Sequence, residues 1–439
     1  MPNHVVEKAK QHIIKLETKG TISNENKKLI INFINKLQAE GHSKGDYSNN
    51  RLKKYVYALS TMTKLLNKNW DKATQIEINK LASTIRNEYK GETPRDYLVM
   101  LRIFIRYVKD PNGKKYQDDE FPDIVKHIKP GNRQYPKIKK STLLTMEDVK
   151  KLANITNNLR DRCFVLVLYE TGCRIGELIG DEKFPGIKIK DITFDKYGAL
   201  VDVEGKTGLR TLRLIASAPA ISNWLQEHPN RDNSNSSLFC GIWTNKSGKV
   251  KYRYWYDLLT GNDYKKKQNY GDRGKGLGEK AGINKPMNPH HFRHSRASEL
   301  AKFMTESQLN YYMGWEQGSK QARTYVTLSG RDTEGTILSM YGIKEEERKE
   351  NKFKPIECPR CRIKNDPAAR FCSSCSLGLD EKSLIEYDKR KDQATEFGIQ
   401  QLEMLKDPNF REFYNNMLAD LWDKYQQKKH VNLLKIRTK

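Results

Sequence analysis

The stretch "GALVDVEGKTGLRTLRLIA" (residues 198–216) decides the fold class. Its apolar residues alternate with polar ones, the period of a half-buried strand, and the glycines at its centre break the run as a turn. Upstream, "GIKIKDITFD" (186–195) has the same β-branched, alternating character. Together these runs predict a three-stranded antiparallel meander. Outward from them the period changes. "DRCFVLVLYETG" (161–172) is mostly apolar and predicts a buried helix, and Thr145 to Asp148 in "LTMEDVKKL" resembles a capping-box start. Helices resume at "SAPAISNWLQEH" (217–228) and, after a Lys- and Gly-rich stretch at 262–280, continue to about residue 345. The expected fold is mainly α with a small antiparallel β-sheet, an α+β class.

The first 110 or so residues read as helices separated by turns. In "NRLKKYVYALSTMTKLL", Leu52, Tyr55, Val56, Leu59, Met62 and Leu66 share one helical face. "TPRDYLVMLRIFIRYV" offers Thr93 as N-cap and Pro94 as the first helical residue. Residues 126–140 carry six Lys/Arg, His127, two prolines and no acid, the composition of a basic hinge or a phosphate-tracking linker. "GDRGKGLG" (271–278) has no strand before it and fits neither common phosphate-loop spacing, so it reads as loop or frayed helix.

The 439 residues carry a formal net charge of +26. An excess of that size calls for a polyanionic partner, nucleic acid or an anionic membrane. No apolar run approaches the roughly 20 residues of a spanning helix, and "MPNHVVEKAKQ" lacks an apolar signal core. A soluble, cytoplasmic protein acting on nucleic acid is the expectation. Cys163, Cys173 and Cys240 are scattered and expected to be reduced thiols.

Three local patterns carry candidate chemistry. "TGCRIGEL" puts Arg174 after a bend with Glu177 at i+3, which alone describes many surface ion pairs. "PHHFRHSRASEL" puts His290 and Arg293 at i, i+3, so an acid/base and a five-donor fork point to one spot. "GWEQGSKQARTYVTLSG" (314–330) holds Tyr325 ten residues after Trp315.

In this order, Arg174, Lys206, His290, Arg293, Trp315 and Tyr325 resemble the signature of the tyrosine recombinase (phage integrase, Xer-like) family. The resemblance covers residues 40 to 345. Trp315 stands where histidine is commoner, Thr327 stands where many members have histidine, and the gap of 116 positions from Arg174 to His290 implies an insertion near 230–280. The resemblance implies site-specific cutting and rejoining of duplex DNA through a 3′-phosphotyrosine on Tyr325. Arg174 and Arg293 would clamp the phosphate oxygens, His290 would manage the tyrosine proton, and Lys206 would protonate the leaving 5′ oxygen. Trp315 would wall the phosphate pocket, and Glu177 and His294 would position their neighbours. Arg210 and Arg213, on the same hairpin, are rivals of Lys206. Tyr311 and Tyr312 read as packing residues; Tyr270 and Tyr341 lack any family frame. Neither ATP nor a catalytic metal is implied, and the acting form would be a homotetramer on two double-stranded DNA sites, with a monomer possible in solution.

"CPRCRIKNDPAARFCSSC" sets two CxxC pairs, Cys358/Cys361 and Cys372/Cys375, ten residues apart. Four thiolates in closed coordination suit one structural Zn²⁺ in a ribbon-like module; a redox dithiol is the alternative. The expected organisation is a helical DNA-contacting domain (1–125), the basic linker (126–140), a catalytic domain (141–345), the zinc ribbon (355–380), and a C-terminal helix with a basic tail (385–439). Two other functions share features of this sequence. One is a DNA-relaxing enzyme of the type IB topoisomerase kind. The other is a non-catalytic DNA-binding protein with a decayed site. The separate helical domain and the C-terminal helix favour recombination over the first, and the complete residue set favours it over the second.

Overall fold

The computed structural model describes residues 4–437 apart from 42–45, 114, 117–119, 133–137, 182–183, 243–247, 249, 262–273, 320, 330–339 and 343–352. The chain divides into two compact units, Met1–Lys137 and Ile138–Lys439.

The first unit is helical: α1 (His4–Thr18), α2 (Asn24–Glu40), α3 (Asn49–Leu66), α4 (Gln75–Glu88), α5 (Thr93–Lys109) and the single turn α6 (Asp123–Lys126). The apolar face of α3 buries Leu52, Tyr55, Val56, Leu59 and Met62 as its period requires. They pack around Trp70, whose indole N–H donates to the Thr63 hydroxyl at 2.8 Å and whose ring meets Phe104 edge-on. Helix α5 starts one residue earlier than expected: Glu92 occupies the N-cap position and Thr93 is already helical, with Pro94 in the first turn. Val125 and Ile128 belong to this core, so packing continues into the stretch read as linker.

The second unit begins with α7 (Met146–Asn154), α8 (Leu159–Thr171) and α9 (Ile175–Ile179). The Thr145/Asp148 capping box forms. Helix α8 is buried from Cys163 to Thr171, as its apolar run predicts. The meander follows: β1 (Ile192–Asp195), β2 (Gly198–Gly205) and β3 (Gly208–Leu214), antiparallel in that order. The register places Val203 opposite Arg210 and Gly205 opposite Gly208, which leaves Lys206 and Thr207 as a two-residue turn. The buried Glu170 carboxylate on α8 accepts the backbone N–H groups of Ile215, Ala216 and Ser217 at 2.9, 2.9 and 2.7 Å, tying the end of β3 to α8. A buried carboxylate that accepts this many donors satisfies its charge within the fold.

Helices α10 (Ala218–Gln226), α11 (Tyr252–Thr260), α12 (Leu277–Lys280), α13 (Pro289–Leu300), α14 (Glu306–Met313) and α15 (Gln321–Ser329) follow the sheet. The stretch expected as an insertion contains α11. The first part of "GDRGKGLG" and Tyr270 lie outside the described residues, and Leu277 and Gly278 open the short α12.

The cysteine module is a two-stranded ribbon, β4 (Ile356–Glu357) and β5 (Lys364–Asn365). Phe353 before it and Ala368 within it are buried in the same apolar cluster as α8. The segment thus shares the core of the second unit instead of enclosing one of its own. Beyond it run two helices where a single one was expected, α16 (Glu381–Met404) and α17 (Pro408–Arg437). On α17 the sequence spacing of Phe410, Phe413, Met417 and Leu421 makes a partial apolar stripe, of which Phe413, Met417 and Leu421 lie exposed and Phe410 half-buried.

Candidate active site

Helix α8 ends at Gly172, whose left-handed φ of +57° lets its N–H return to the Leu168 carbonyl. A side chain here would also press on Met313 and Arg296 at 3.1–3.3 Å. The tight turn delivers Arg174 to the N-cap of α9. There Glu177 receives both the Arg174 backbone N–H (3.1 Å) and its guanidinium (2.9 Å), and Arg174 also reaches the Gly314 carbonyl at 3.3 Å. Glu177 is buried, but the Arg174 side chain remains one-third exposed and faces an open cavity.

Glu177 has a second partner, one that the sequence offered only as a rival of Lys206. Arg210, on β3 and 4% exposed, donates from Nη2 to Glu177 Oε2 at 2.7 Å and from Nε to the Tyr312 carbonyl at 3.0 Å. Burial opposes the Glu177 charge, but Arg210 and then Arg174 outweigh it and hold the carboxyl below its ordinary range. Arg210 therefore joins the Arg174 brace to the loop that carries Gly314 and Trp315. Its inward position follows from strand alternation: Arg210 pairs with Val203, whose side chain is also buried. Arg213 pairs with Asp195 at 2.6 Å on the sheet. Of the three hairpin cations, Lys206 alone lines the cavity; it is exposed on the turn and engages no described residue by ion pair or hydrogen bond.

Helix α13 supplies the facing wall. Asn288 caps it by accepting from the His291 N–H at 3.0 Å, and Pro289 sits in the first turn. The Ser295 hydroxyl accepts from the Leu144 N–H at 2.8 Å, anchoring the helix. Arg293 is buried and donates to the Gly172 carbonyl at 2.8 Å and the Met313 carbonyl at 2.5 Å. Burial and the nearby Arg174 draw its pKa down to about 10, so it remains a cation at neutral pH. His290 reaches solvent, yet the cavity walls desolvate its ring, and Arg293 and Arg174 add to the lowering of its pKa.

Tyr325, on α15, is 3% exposed. Its ring lies between two others: Trp315, stacked at 5.3 Å and 9°, and His294, stacked at 5.9 Å and 27°. The Arg293 guanidinium stands over the Trp315 ring at 5.2 Å. The Tyr325 hydroxyl meets His294 Nδ1 at 2.5 Å. Burial raises the phenol to about 12 against the pull of Arg293, so it is protonated at rest. Burial, then His290, His291 and Arg293, lower His294 to about 4, so its imidazole is neutral.

The cavity between these walls, about 370 Å³, is lined by Arg174, Lys206, His290, Arg293, Trp315 and Tyr325, and also by Thr207, Ser319 and Gln321, which no sequence signal marked. The side chain of Thr327 lies outside the described residues. Tyr311 is exposed, contrary to its reading as a packing residue. Tyr312 does pack, and its hydroxyl donates to the Glu170 carbonyl at 3.0 Å.

A second cluster sits in the ribbon. The Sγ atoms of Cys358, Cys361, Cys372 and Cys375 lie within 4.8 Å of one another and could hold a metal ion. The two halves repeat one backbone pattern. The residue after each second cysteine, Arg362 and Ser376, has a left-handed φ of 60° and 56°. Its N–H returns to the first cysteine's carbonyl at 2.9 and 3.0 Å.

A buried tyrosine hydroxyl against an imidazole, beside three cationic side chains that line an open cavity, is an arrangement suited to chemistry on a phosphate ester. Residues 142–330 match the phage integrase family. Tyrosine recombinase XerA of Pyrococcus horikoshii is 23% identical over 276 residues, 63% of this chain and 80% of that protein. XerA of Pyrococcus furiosus is 26% identical over 274 residues, 61% of this chain and 78% of that one. A lambda integrase tetramer bound to a Holliday junction overlaps 72% of this chain and 82% of its own, at 13% identity and a TM-score of 0.49. Residues 142–330 thus carry a phage integrase family domain, and the chain is similar to Xer tyrosine recombinases.

Proposed function

We propose that this chain is a site-specific recombinase that cuts and rejoins duplex DNA, with Tyr325 as the nucleophile and a 3′-phosphotyrosine as the intermediate. The observation that carries the reading is the Tyr325 hydroxyl, hydrogen-bonded to an imidazole at the wall of a cavity lined by Arg174, Arg293 and Lys206. Attack on phosphorus gathers negative charge on the non-bridging oxygens. Two arginines supply fixed donors there without reorganising. Arg174 still has free guanidinium face, and each Arg293 terminal nitrogen keeps a second N–H beyond its carbonyl bond. His290, on the exposed rim, is placed to donate to the same phosphate. Lys206, exposed on the two-residue turn of its hairpin, is suited to protonate the leaving 5′ oxygen. Trp315 holds the tyrosine ring in plane. Rejoining is the reverse step by another strand's 5′ hydroxyl, and the phosphotyrosine stores the bond energy, so no ATP enters.

The +26 net charge supports a DNA partner, and among the described residues no helix is long and apolar enough to cross a membrane. We infer action in the cytoplasm as a homotetramer on two DNA sites. The lambda integrase relative was seen as a tetramer on a Holliday junction. Cys358, Cys361, Cys372 and Cys375 are proposed to hold structural Zn²⁺. Tetrahedral coordination with bonds of about 2.3 Å sets neighbouring sulfurs about 3.8 Å apart, and the Cys358–Cys375 and Cys361–Cys372 separations are both 3.5 Å. When bound, the ion would cross-link the two halves of the ribbon.

A nicked suicide substrate, which loses its 5′ fragment after cleavage, should trap the wild-type chain covalently on DNA. Tyr325→Phe should bind the same DNA and form no adduct. An adduct that persists in Tyr325→Phe removes the nucleophile assignment.

A further inference from the structure

We propose that His294, and not His290, takes the proton from Tyr325 as the tyrosine attacks, an inference that rests on the nucleophile reading above. The Tyr325 hydroxyl is buried, and His294 Nδ1 at 2.5 Å is its partner. An O–H shielded from water needs an acceptor, so Nδ1 accepts and the ring carries its own proton on Nε2. His290 lies one turn back on α13, with its ring 6.1 Å from that of His294 and its side chain in the open cavity. It is placed to meet the phosphate and makes no contact with the phenol.

The two stacked neighbours restrict Tyr325 to a narrow range of ring positions, so the hydroxyl stays on Nδ1 while its lone pair faces the cavity. In the attack the Tyr325 O–H bond breaks and its proton passes to Nδ1. The oxygen forms the bond to phosphorus, and the P–O5′ bond breaks with its electron pair on O5′. That oxygen takes a proton from the Lys206 ammonium. The step leaves an imidazolium and a neutral amine, and religation returns both protons. Before DNA arrives, burial makes the phenol a weak acid, and burial, with His290, His291 and Arg293 adding to it, makes His294 a weak base, so the nucleophile is held silent. A phosphate seated between Arg174 and Arg293 brings the negative charge that favours an imidazolium beside it. The entry of DNA would thus switch the proton transfer on.

Single-turnover cleavage of the nicked substrate by the full chain tests this. His294→Asn keeps an acceptor at the Nδ1 position but removes the base; it should slow adduct formation by about 10²–10³-fold. Installing 3,5-difluorotyrosine at position 325, a more acidic phenol, should then restore at least about tenfold in His294→Asn and give no such gain in His290→Asn, the contrast that general-base behaviour requires. As a second variant, His294→Ala should be rescued by added imidazole. Cleavage by His294→Asn within about threefold of wild type would overturn the proposal, since general-base catalysis contributes more than that. Slow cleavage that neither the fluorinated phenol nor imidazole improves, or rescue confined to His290→Asn, would also overturn it. Mass mapping of the wild-type adduct separates the two readings. An adduct on a residue other than Tyr325 refutes the nucleophile, whereas an adduct on Tyr325 with a fast His294→Asn refutes only the base.

Discussion

The cysteine ribbon and the recombination cavity are built on opposite plans. The ribbon collects four candidate ligands from 18 consecutive residues, and two local knuckles aim all of them. The cavity draws Arg174, Lys206, Arg293, Trp315 and Tyr325 from five separate segments, and their mutual geometry is set within none of them. A local site is held by its own backbone, so it forms or fails as a piece. A dispersed site inherits its precision from whatever braces the segments against one another. Here the brace is the Arg174–Glu177–Arg210 chain and its bond to the Tyr312 carbonyl.

The contrast can be broken at either end. Its largest consequence is in the ribbon. Cys372→Ser, or chelation of a bound metal, should abolish hydrogen-exchange protection across residues 356–377 as a unit, because metal binding and folding of so small an element are one equilibrium. Protection that survives ligand loss would make the ribbon as dispersed as the cavity. Next in size is Arg210→Met, which leaves the buried Glu177 with one partner and should destabilise the second unit by about 3 kcal/mol, read as lost resistance to urea. Its covalent cleavage should fall as well, even though Arg210 never meets DNA. Unchanged cleavage would mean that Arg174 does not depend on the brace. The smallest effect is expected from Gly314→Ala. Gly314 has φ +61° and an added Cβ would stand 2.8 Å from Arg210 Nη1. A cost of about 1–2 kcal/mol is expected from the strained backbone, with slower cleavage as Trp315 shifts from the Tyr325 ring. A neutral substitution would show the loop and Arg210 to be uncoupled.

The same division explains what sequence could disclose. The meander and α8 were legible because alternation and a long apolar run are local signals. The ribbon was legible because ligand spacing is nearly its whole geometry. Arg174, His290, Arg293 and Tyr325 could be picked out by their order in the chain, but their mutual geometry could not. His290 and His294 lie one turn apart on nearly the same face of α13, and only the docking of α15 decides which ring meets the phenol. Arg210 and Lys206 looked interchangeable as hairpin cations until the register turned one inward and left the other on the turn. The start of α5 lies one residue early because Glu92 adopts helical φ/ψ at the N-cap with no side-chain cap bond, against the capping preference for Thr93 and within the one- or two-residue latitude of helix ends. Exposure of the stripe on α17 depends on what a helix meets, and periodicity carries no information about that.

Arg162 on α8 grips Asp366 of the ribbon with two parallel bonds, Nε to Oδ2 at 3.1 Å and Nη2 to Oδ1 at 2.8 Å. Together with Phe353 and Ala368 in the apolar cluster, this makes the recombinase core and the ribbon a single object for anyone who wishes to cut it. A fragment trimmed to the matched residues 142–330 would lose two core side chains and strand a guanidinium against the helix that leads into Arg174. Transplanting the active half onto another scaffold therefore means carrying the cysteines with it.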